Sequence, residues 1–195
     1  SPCGGILRSV LSFSSPYPWV LQFAFRKIRY LYGMEPKTRI LFVCLGNICR
    51  SPAADGIMHD LVEKRGIADR FTIDSAGTYG GHRGELPDPR MRSAASRRGY
   101  TLTHRARQVS EADFDRFDMI VGMDDMNYET LYRMAPSPEA ARKIFRMTEF
   151  CRRHPDRTYV PDPYYEGHEG FELVLDMLED GCEGILEYLR NLVRN

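Results

Sequence analysis

The chain has 195 residues, 43% of them hydrophobic, enough to bury one full core without requiring a second domain. Lysine plus arginine number 27 and aspartate plus glutamate 27, so net charge argues against nucleic acid or an acidic membrane as the main partner, and any anion affinity must be local. Five cysteines (Cys3, Cys44, Cys49, Cys151, Cys182) are few and odd in number, which argues against a secreted disulfide framework and for reducing cytoplasm, where a thiol stays a nucleophile.

Residues 1–34 differ from the rest. No acidic residue occurs up to Met34, and Arg8, Arg26, Lys27 and Arg29 accompany an apolar stretch from Tyr17 to Phe25 that Pro18 and Gln22 interrupt. That stretch is far shorter than the roughly 20 residues a membrane span needs, and most of its charge follows the apolar part, the reverse of a signal peptide. We expect an N-terminal extension outside the core over 1–34 and the working domain over 35–195. A basic, serine-containing targeting segment is the alternative for the extension.

Thr38 to Val43 is apolar and β-branched without alternation, which predicts a central strand covered on both faces. Apolar residues at helical spacing from Ala53 to Arg65, with Pro52 just ahead and Gly66 behind, predict a helix. Arg70 to Ser75 alternates as a second strand, and the glycine-rich stretch from Ala76 to Pro87 predicts a loop. Asp88-Pro89 predicts an N-cap and first helical residue for a helix to about Arg98. Phe117 to Gly122 predicts a third strand, Asp124 the cap of a helix to about Met134, and Lys143 to Met147 a fourth strand. Phe171 to Val193 repeats apolar residues at helical spacing and predicts a long terminal helix. Alternating strands and helices predict an α/β fold, a parallel sheet with helices on both faces, whose ligand loops lie at the carboxyl ends of the strands.

Between the first strand and first helix stands Cys44-Leu-Gly-Asn-Ile-Cys-Arg-Ser51. A thiol at the end of a strand, five residues and an arginine place backbone N–H groups, a helix N-terminus and a guanidinium around one tetrahedral dianion. The same helix N-terminus and cation favour a thiolate. Arg50 supplies a planar fork for two phosphoryl oxygens, and Ser51 a hydroxyl for the Cys44 sulfur. Gly46 and Asn47 are the residues expected at positive φ. Asp162, beside the stiffening Pro163, is the candidate acid for the leaving oxygen and base for the attacking water. This chemistry needs no metal and no other cofactor.

From about Lys37 to Leu192 the chain resembles the low-molecular-weight protein tyrosine phosphatases. The resemblance rests on Val43-Cys-Leu-Gly-Asn-Ile-Cys-Arg-Ser-Pro52, Asp74-Ser-Ala-Gly77, Pro87-Asp-Pro-Arg90, His104-Arg-Ala-Arg-Gln-Val109, Met123-Asp124 and Asp162-Pro-Tyr-Tyr165, in that order. It implies a three-layer, four-stranded parallel sheet of the phosphotyrosine protein phosphatase I type and a phosphocysteine intermediate on Cys44. It further implies Arg50 as phosphate clamp, Asp162 as acid, and a phosphate-binding loop through Leu45, Gly46, Asn47, Ile48, Cys49 and Ser51. Asn47, Ser51, Ser75 and His104 would form the network supporting that loop. Tyr164 and Tyr165 would wall a cleft deep enough to select phosphotyrosine, with Leu45 on another side. Cys49 would pair reversibly with Cys44 under oxidation. Phosphotyrosine-bearing proteins are the implied partners, a tyrosine kinase among the candidates, with no nucleic acid, no integral membrane span, and a monomer or weak dimer in the cytoplasm. One departure stands at the rim: Gly80-Gly81-His82, with Tyr79 the only aromatic, where relatives often carry a bulky one.

Other chemistries fit these residues less well. Arsenate reduction requires further cysteines after the loop, and none occurs between Cys49 and Cys151. Phosphoarginine hydrolysis goes with threonine where Ile48 stands and without paired tyrosines. A structural zinc site on Cys44 and Cys49 lacks further nearby ligands, and binding without turnover would leave Asp162 unused. Asp88 and Asp124 read first as helix caps, with a contact from Asp124 to the loop as the lesser reading. Cys151 and Cys182 read as inert, and Arg90, Arg92, Arg97, Arg98, Arg105 and Arg107 as mostly solvated surface.

Overall fold

Strand β1 (Thr38–Cys44) is buried from Ile40 onward and lies inside the sheet, as its unbroken apolar run requires. In this computed structural model, which describes residues 37–194, it pairs in parallel with β2 (Phe71–Gly77) on one side and β3 (Met119–Gly122) on the other. β4 (Ile144–Arg146) completes an all-parallel sheet of order β2-β1-β3-β4. The reading of residues 1–34 as an extension lies outside the described residues.

Alternate residues of β1 serve two cores. Ile40, Phe42 and Cys44 pack with α1 (Arg50–Lys64), α2 (Pro89–Arg97) and the long α6 (His168–Arg194). Leu41 and Val43 pack on the other face with Phe114, Phe117, Leu131 and Ala140. These come from the short α3 (Asp113–Arg116), its C-terminal neighbour, α4 (Asp125–Met134) and the short α5 (Pro138–Ala141). Each fully buried large side chain contributes about 1.5–3 kcal/mol, so a core on each face fixes both strand order and register. In α6 the core stripe is Phe171, Val174, Leu175, Leu178, Cys182 and Ile185, the helical spacing anticipated from the sequence.

Element boundaries moved for physical reasons. α1 starts at Arg50 rather than Ala53, which puts Pro52 inside the first turn, where its missing N–H has no helical acceptor to lose. β2 runs on to Gly77 because pairing with β1 continues to Cys44, and Gly77 then bridges to Gln108. β3 begins only at Met119, since Phe117 closes the turn of α3. α3 and α5 were not foreseen. Each is one turn, too short for periodicity, although Ser137 caps Ala140 at 3.1 Å with Pro138 at the first helical position.

Candidate active site

β1 ends at Cys44 and α1 begins at Arg50, so residues 45–49 must reverse the chain across the top of the sheet. Asn47 turns it with φ of 56°, in the left-handed region that asparagine tolerates best after glycine. Gly46, also expected at positive φ, is not so placed. Its lack of a side chain serves packing instead, because a Cβ there would lie 3.1 Å from His82 Cδ2. Gly77 is stricter: a Cβ would stand 2.6 Å from the Leu45 carbonyl oxygen and 3.1 Å from the Asn47 nitrogen. The end of β2 thus presses directly on the loop's backbone.

Polar contacts converge on Asn47. Its Nδ2 donates to Ser51 Oγ at 2.9 Å and Ser75 Oγ at 3.0 Å. Its Oδ1 takes the Arg107 backbone N–H at 2.9 Å and contacts His104 Nε2 at 3.0 Å. Asn47 N–H in turn points to Cys44 Sγ at 3.3 Å, and Ser51 Oγ lies 3.0 Å from the same sulfur. The structure therefore brings Cys44, Asn47, Ser51, Ser75 and His104 together as the motif order implied. Side chains of Ile48 and Cys49 turn into the core, leaving their backbone to the loop.

The Arg50 side chain, 2% exposed, leaves the first turn of α1 and is gripped from three directions. Nη1 donates to Asp124 Oδ2 at 2.6 Å and to the Val160 carbonyl at 3.1 Å, and Nη2 to Asp162 Oδ2 at 2.7 Å. Its Nε is buried without a hydrogen-bond acceptor among the described residues, a donor left over for an anion. Burial opposes the charge, but the facing Cys44, Asp162 and Asp124 outweigh it and hold the guanidinium above its ordinary value. Asp124 does both jobs weighed for it, since its Oδ1 caps α4 through Asn127 N–H at 2.8 Å. Asp162 reaches the site because Val160 N–H is pinned to the Met123 carbonyl at 2.8 Å, at the end of β3. Its Oδ1 accepts from Tyr164 N–H at 3.2 Å, capping the turn Pro163–Tyr165.

At the rim, Tyr164 is half-exposed and Tyr165 almost fully exposed, their rings edge to face at 5.0 Å. Leu45 is also exposed. Asp88 is a cap, accepting from Arg90 N–H at 2.8 Å, and the Arg90 guanidinium holds its carboxyl below the ordinary carboxylate range. Arg90 also donates to the Tyr164 carbonyl at 3.0 Å and lies 5.3 Å over the Tyr164 ring, tying α2 to the segment that carries Asp162. Burial pushes the Cys49 and Cys182 thiols well up and Cys151 up to about 12, so none of the three is a ready thiolate.

The arginine cluster is mostly exposed, as expected, at Arg90, Arg92, Arg97 and Arg105, while Arg98 and Arg107 are drawn into ion pairs and half-buried. Arg107 bridges Asp74 at 2.8 Å and the fully buried Asp113 at 3.0 Å, and Arg98 joins Glu172 and Asp176 of α6 at 2.6 and 2.7 Å. Asp74, Glu172 and Asp176 come from distant segments, which hides these pairs in one dimension, whereas Asp113 stands only six residues from Arg107. Sequence reasoning also missed Asp55, buried on α1 beside His104, and the Val160 carbonyl. A buried acid on an apolar helix face was the available signal for Asp55; a backbone carbonyl gives none.

A sequence profile of the low molecular weight phosphotyrosine protein phosphatases matches residues 39–195. A low molecular weight phosphotyrosine protein phosphatase of Schizosaccharomyces pombe is 42% identical over 155 residues, 79% of this chain and 98% of that protein. Among solved structures, a protein tyrosine phosphatase from Entamoeba histolytica matches with a TM-score of 0.77 and 42% identity, over 80% of this chain and 98% of that one. An arginine phosphatase of Drosophila matches with a TM-score of 0.71 and 34% identity, over 77% of this chain and 96% of that one.

Proposed function

This chain belongs to the low molecular weight phosphotyrosine protein phosphatase family and is a protein-tyrosine-phosphatase; on that premise we propose that it works through a phosphocysteine on Cys44. The observation that carries the proposal is the convergence of Cys44 Sγ, the α1 N-terminus, and the Arg50 guanidinium with Asp162 Oδ2 2.7 Å away.

The dianionic phosphoryl group takes the Arg50 donors and the N–H groups of the loop and first helical turn. That releases Asp162 from its ion pair. Cys44 sulfur attacks phosphorus, the P–O bond to the tyrosine ring breaks, and protonated Asp162 gives its proton to the departing phenolate oxygen. Ser51 hydroxyl and Asn47 N–H stabilise the sulfur before bond formation and after release. Water then attacks phosphorus, Asp162 takes its proton, and the S–P bond breaks to give inorganic phosphate and the thiolate. The Asn47 N–H and Ser51 hydroxyl already face the Cys44 sulfur before substrate arrives, and such preorganised donors are the condition under which electrostatic stabilisation is largest.

Tyr164, Tyr165 and Leu45 are the proposed cleft walls, selecting a phosphoryl group carried on a long planar side chain. Cys49 is the proposed redox partner: its thiol condenses with a sulfenic acid on Cys44, giving a disulfide and water. The test is metal-free hydrolysis of phosphotyrosine, phosphoserine and phosphoarginine peptides by wild type, Cys44→Ser and Asp162→Ala. Phosphotyrosine turnover abolished by the first change and strongly slowed by the second is the expected result. Retained activity in Cys44→Ser would overturn the mechanism, and preference for phosphoarginine would overturn the substrate reading.

A further inference from the structure

An acid can serve the leaving oxygen only if it stays in place after its ion pair with Arg50 has been given up to the phosphoryl group. Upstream of Asp162, Val160 N–H is held by the Met123 carbonyl at 2.8 Å. Downstream, α6 begins only at His168, so the turn Pro163–Tyr165 needs its own anchor.

Arg90, the second residue of α2, supplies one. Its Nε and Nη2 donate to the two oxygens of Asp88 at 3.0 and 2.8 Å, a forked pair that fixes the plane of the guanidinium. The remaining nitrogen, Nη1, donates to the Tyr164 carbonyl at 3.0 Å. Tyr164 N–H in turn donates to Asp162 Oδ1 at 3.2 Å, so the backbone of Tyr164 links Arg90 to the acid. The guanidinium also lies 5.3 Å from the centre of the Tyr164 ring and 5.1 Å from that of Phe171, buried in the first turn of α6. At the other end, Asp88 N–H donates to the Ile48 carbonyl of the phosphate loop at 2.8 Å. Ile48, Asp88, Arg90, Tyr164 and Asp162 thus form one continuous series of contacts. A lysine, a point charge on a flexible stem, would not hold the carboxylate and the carbonyl in this planar geometry.

We propose that Arg90 is a positioning residue for the reaction: it sets the distance between the phosphate loop and Asp162, and with it the efficiency of proton transfer to the leaving oxygen. The inference rests on the reading of Asp162 as the general acid. As the P–O bond to the leaving group breaks, the Asp162 proton must reach that oxygen, and a displacement of about 1 Å in a positioned group costs up to about 100-fold. The cost falls only where the leaving oxygen needs the proton.

The test compares kcat/KM for two aryl phosphates in wild type, Arg90→Met, Asp162→Ala and the double variant. A phenol of pKa about 10 leaves poorly without a proton, whereas 2,4-dinitrophenolate leaves without one. Arg90→Met should lose about tenfold or more with phenyl phosphate and less than about threefold with 2,4-dinitrophenyl phosphate. In the Asp162→Ala background it should cause almost no further loss, the non-additivity of two residues acting through one proton transfer. Inorganic phosphate should inhibit wild type and Arg90→Met equally. Arg90→Lys, which keeps the charge without the fork, should show the same bias to a smaller degree and carries the test if Arg90→Met does not fold. No loss, equal losses on the two substrates, a parallel loss of phosphate inhibition, or full additivity with Asp162→Ala would each overturn the proposal and leave Arg90 as a support of the fold. Absence of the bias in Asp162→Ala itself would overturn the acid assignment, and this inference with it.

Discussion

Replacing Asp124 by alanine removes two contacts made by the two oxygens of one carboxylate. Oδ1 caps α4 at Asn127 N–H, 2.8 Å, and loss of such a cap costs about 1 kcal/mol. Oδ2 holds Arg50 Nη1 at 2.6 Å, and a hydrogen bond to a charged group contributes about 1.5–3 kcal/mol. Asp124 is 21% exposed and Arg50 keeps Asp162 and Val160, so this second cost stays below that of stranding a fully buried ion. Asp124→Ala should therefore lose about 2.5–4 kcal/mol. Asp124→Ser, whose hydroxyl still caps, should lose about 1.5–3 kcal/mol. Urea unfolding with an unchanged slope measures the difference of about 1 kcal/mol between them. Both variants release one side of the Arg50 clamp, and a shift of about 1 Å in a positioning group costs up to about 100-fold. Hydrolysis of a phosphotyrosine peptide should thus fall similarly in both, by about 10- to 100-fold in kcat/KM. Wild-type activity in Asp124→Ser would refute the claim that Asp124 positions Arg50, and equal urea midpoints for the two variants would refute the cap.

Asn47→Ala removes hydrogen bonds to four partners and puts a Cβ-bearing residue without a polar side chain at φ 56°, so urea unfolding should show a loss of about 3–5 kcal/mol together with a large fall in kcat. Gly184→Ala, in the interior of α6, would ordinarily gain about 1 kcal/mol of helix propensity. Here the added Cβ would meet the Phe150 carbonyl oxygen at 2.0 Å, so the thermal midpoint should fall instead, and a rise would refute the packing. Asp113 sets an acid limit. Burial pushes its carboxyl up, but hydrogen bonds from Arg107 and Ser110 outweigh burial and leave it below the ordinary value. A depressed folded value means stability that is complete above the unfolded pKa of about 3.9 and lost as pH falls through the folded one. Urea midpoints should drop below about pH 4, and Asp113→Asn should show a smaller drop than wild type; parallel curves would contradict the assignment.

How much was legible in the sequence differs by kind of residue. The strand, loop and helix around Cys44 could be read because a buried parallel strand needs an unbroken apolar run, and Cys44 to Ser51 is local in sequence. Asp162 could be singled out as a candidate only because Pro163 and the tyrosines mark its loop. The contacts of Arg107 with Asp74, 33 residues away, and of Asp55 with His104, 49 residues away, were hidden because nothing local in the sequence marks them. The demand on Gly77 was also hidden, since it arises from the close approach of two backbones. The positive φ was assigned to Gly46 as well as Asn47, although only the asparagine has a side chain able to make the four contacts that repay that conformation.

The central claim is that the phosphoryl group passes through Cys44 sulfur. Acid-quenched mixing of Asp162→Ala with a phosphotyrosine peptide, followed by digestion and mass spectrometry of the peptide containing Cys44 and Cys49, tests it directly. The account predicts a phosphoryl adduct on Cys44 that forms as fast as the first equivalent of tyrosine peptide is released and is absent from Cys44→Ser. An adduct on any other residue, or turnover by Asp162→Ala with no adduct trapped, would contradict it.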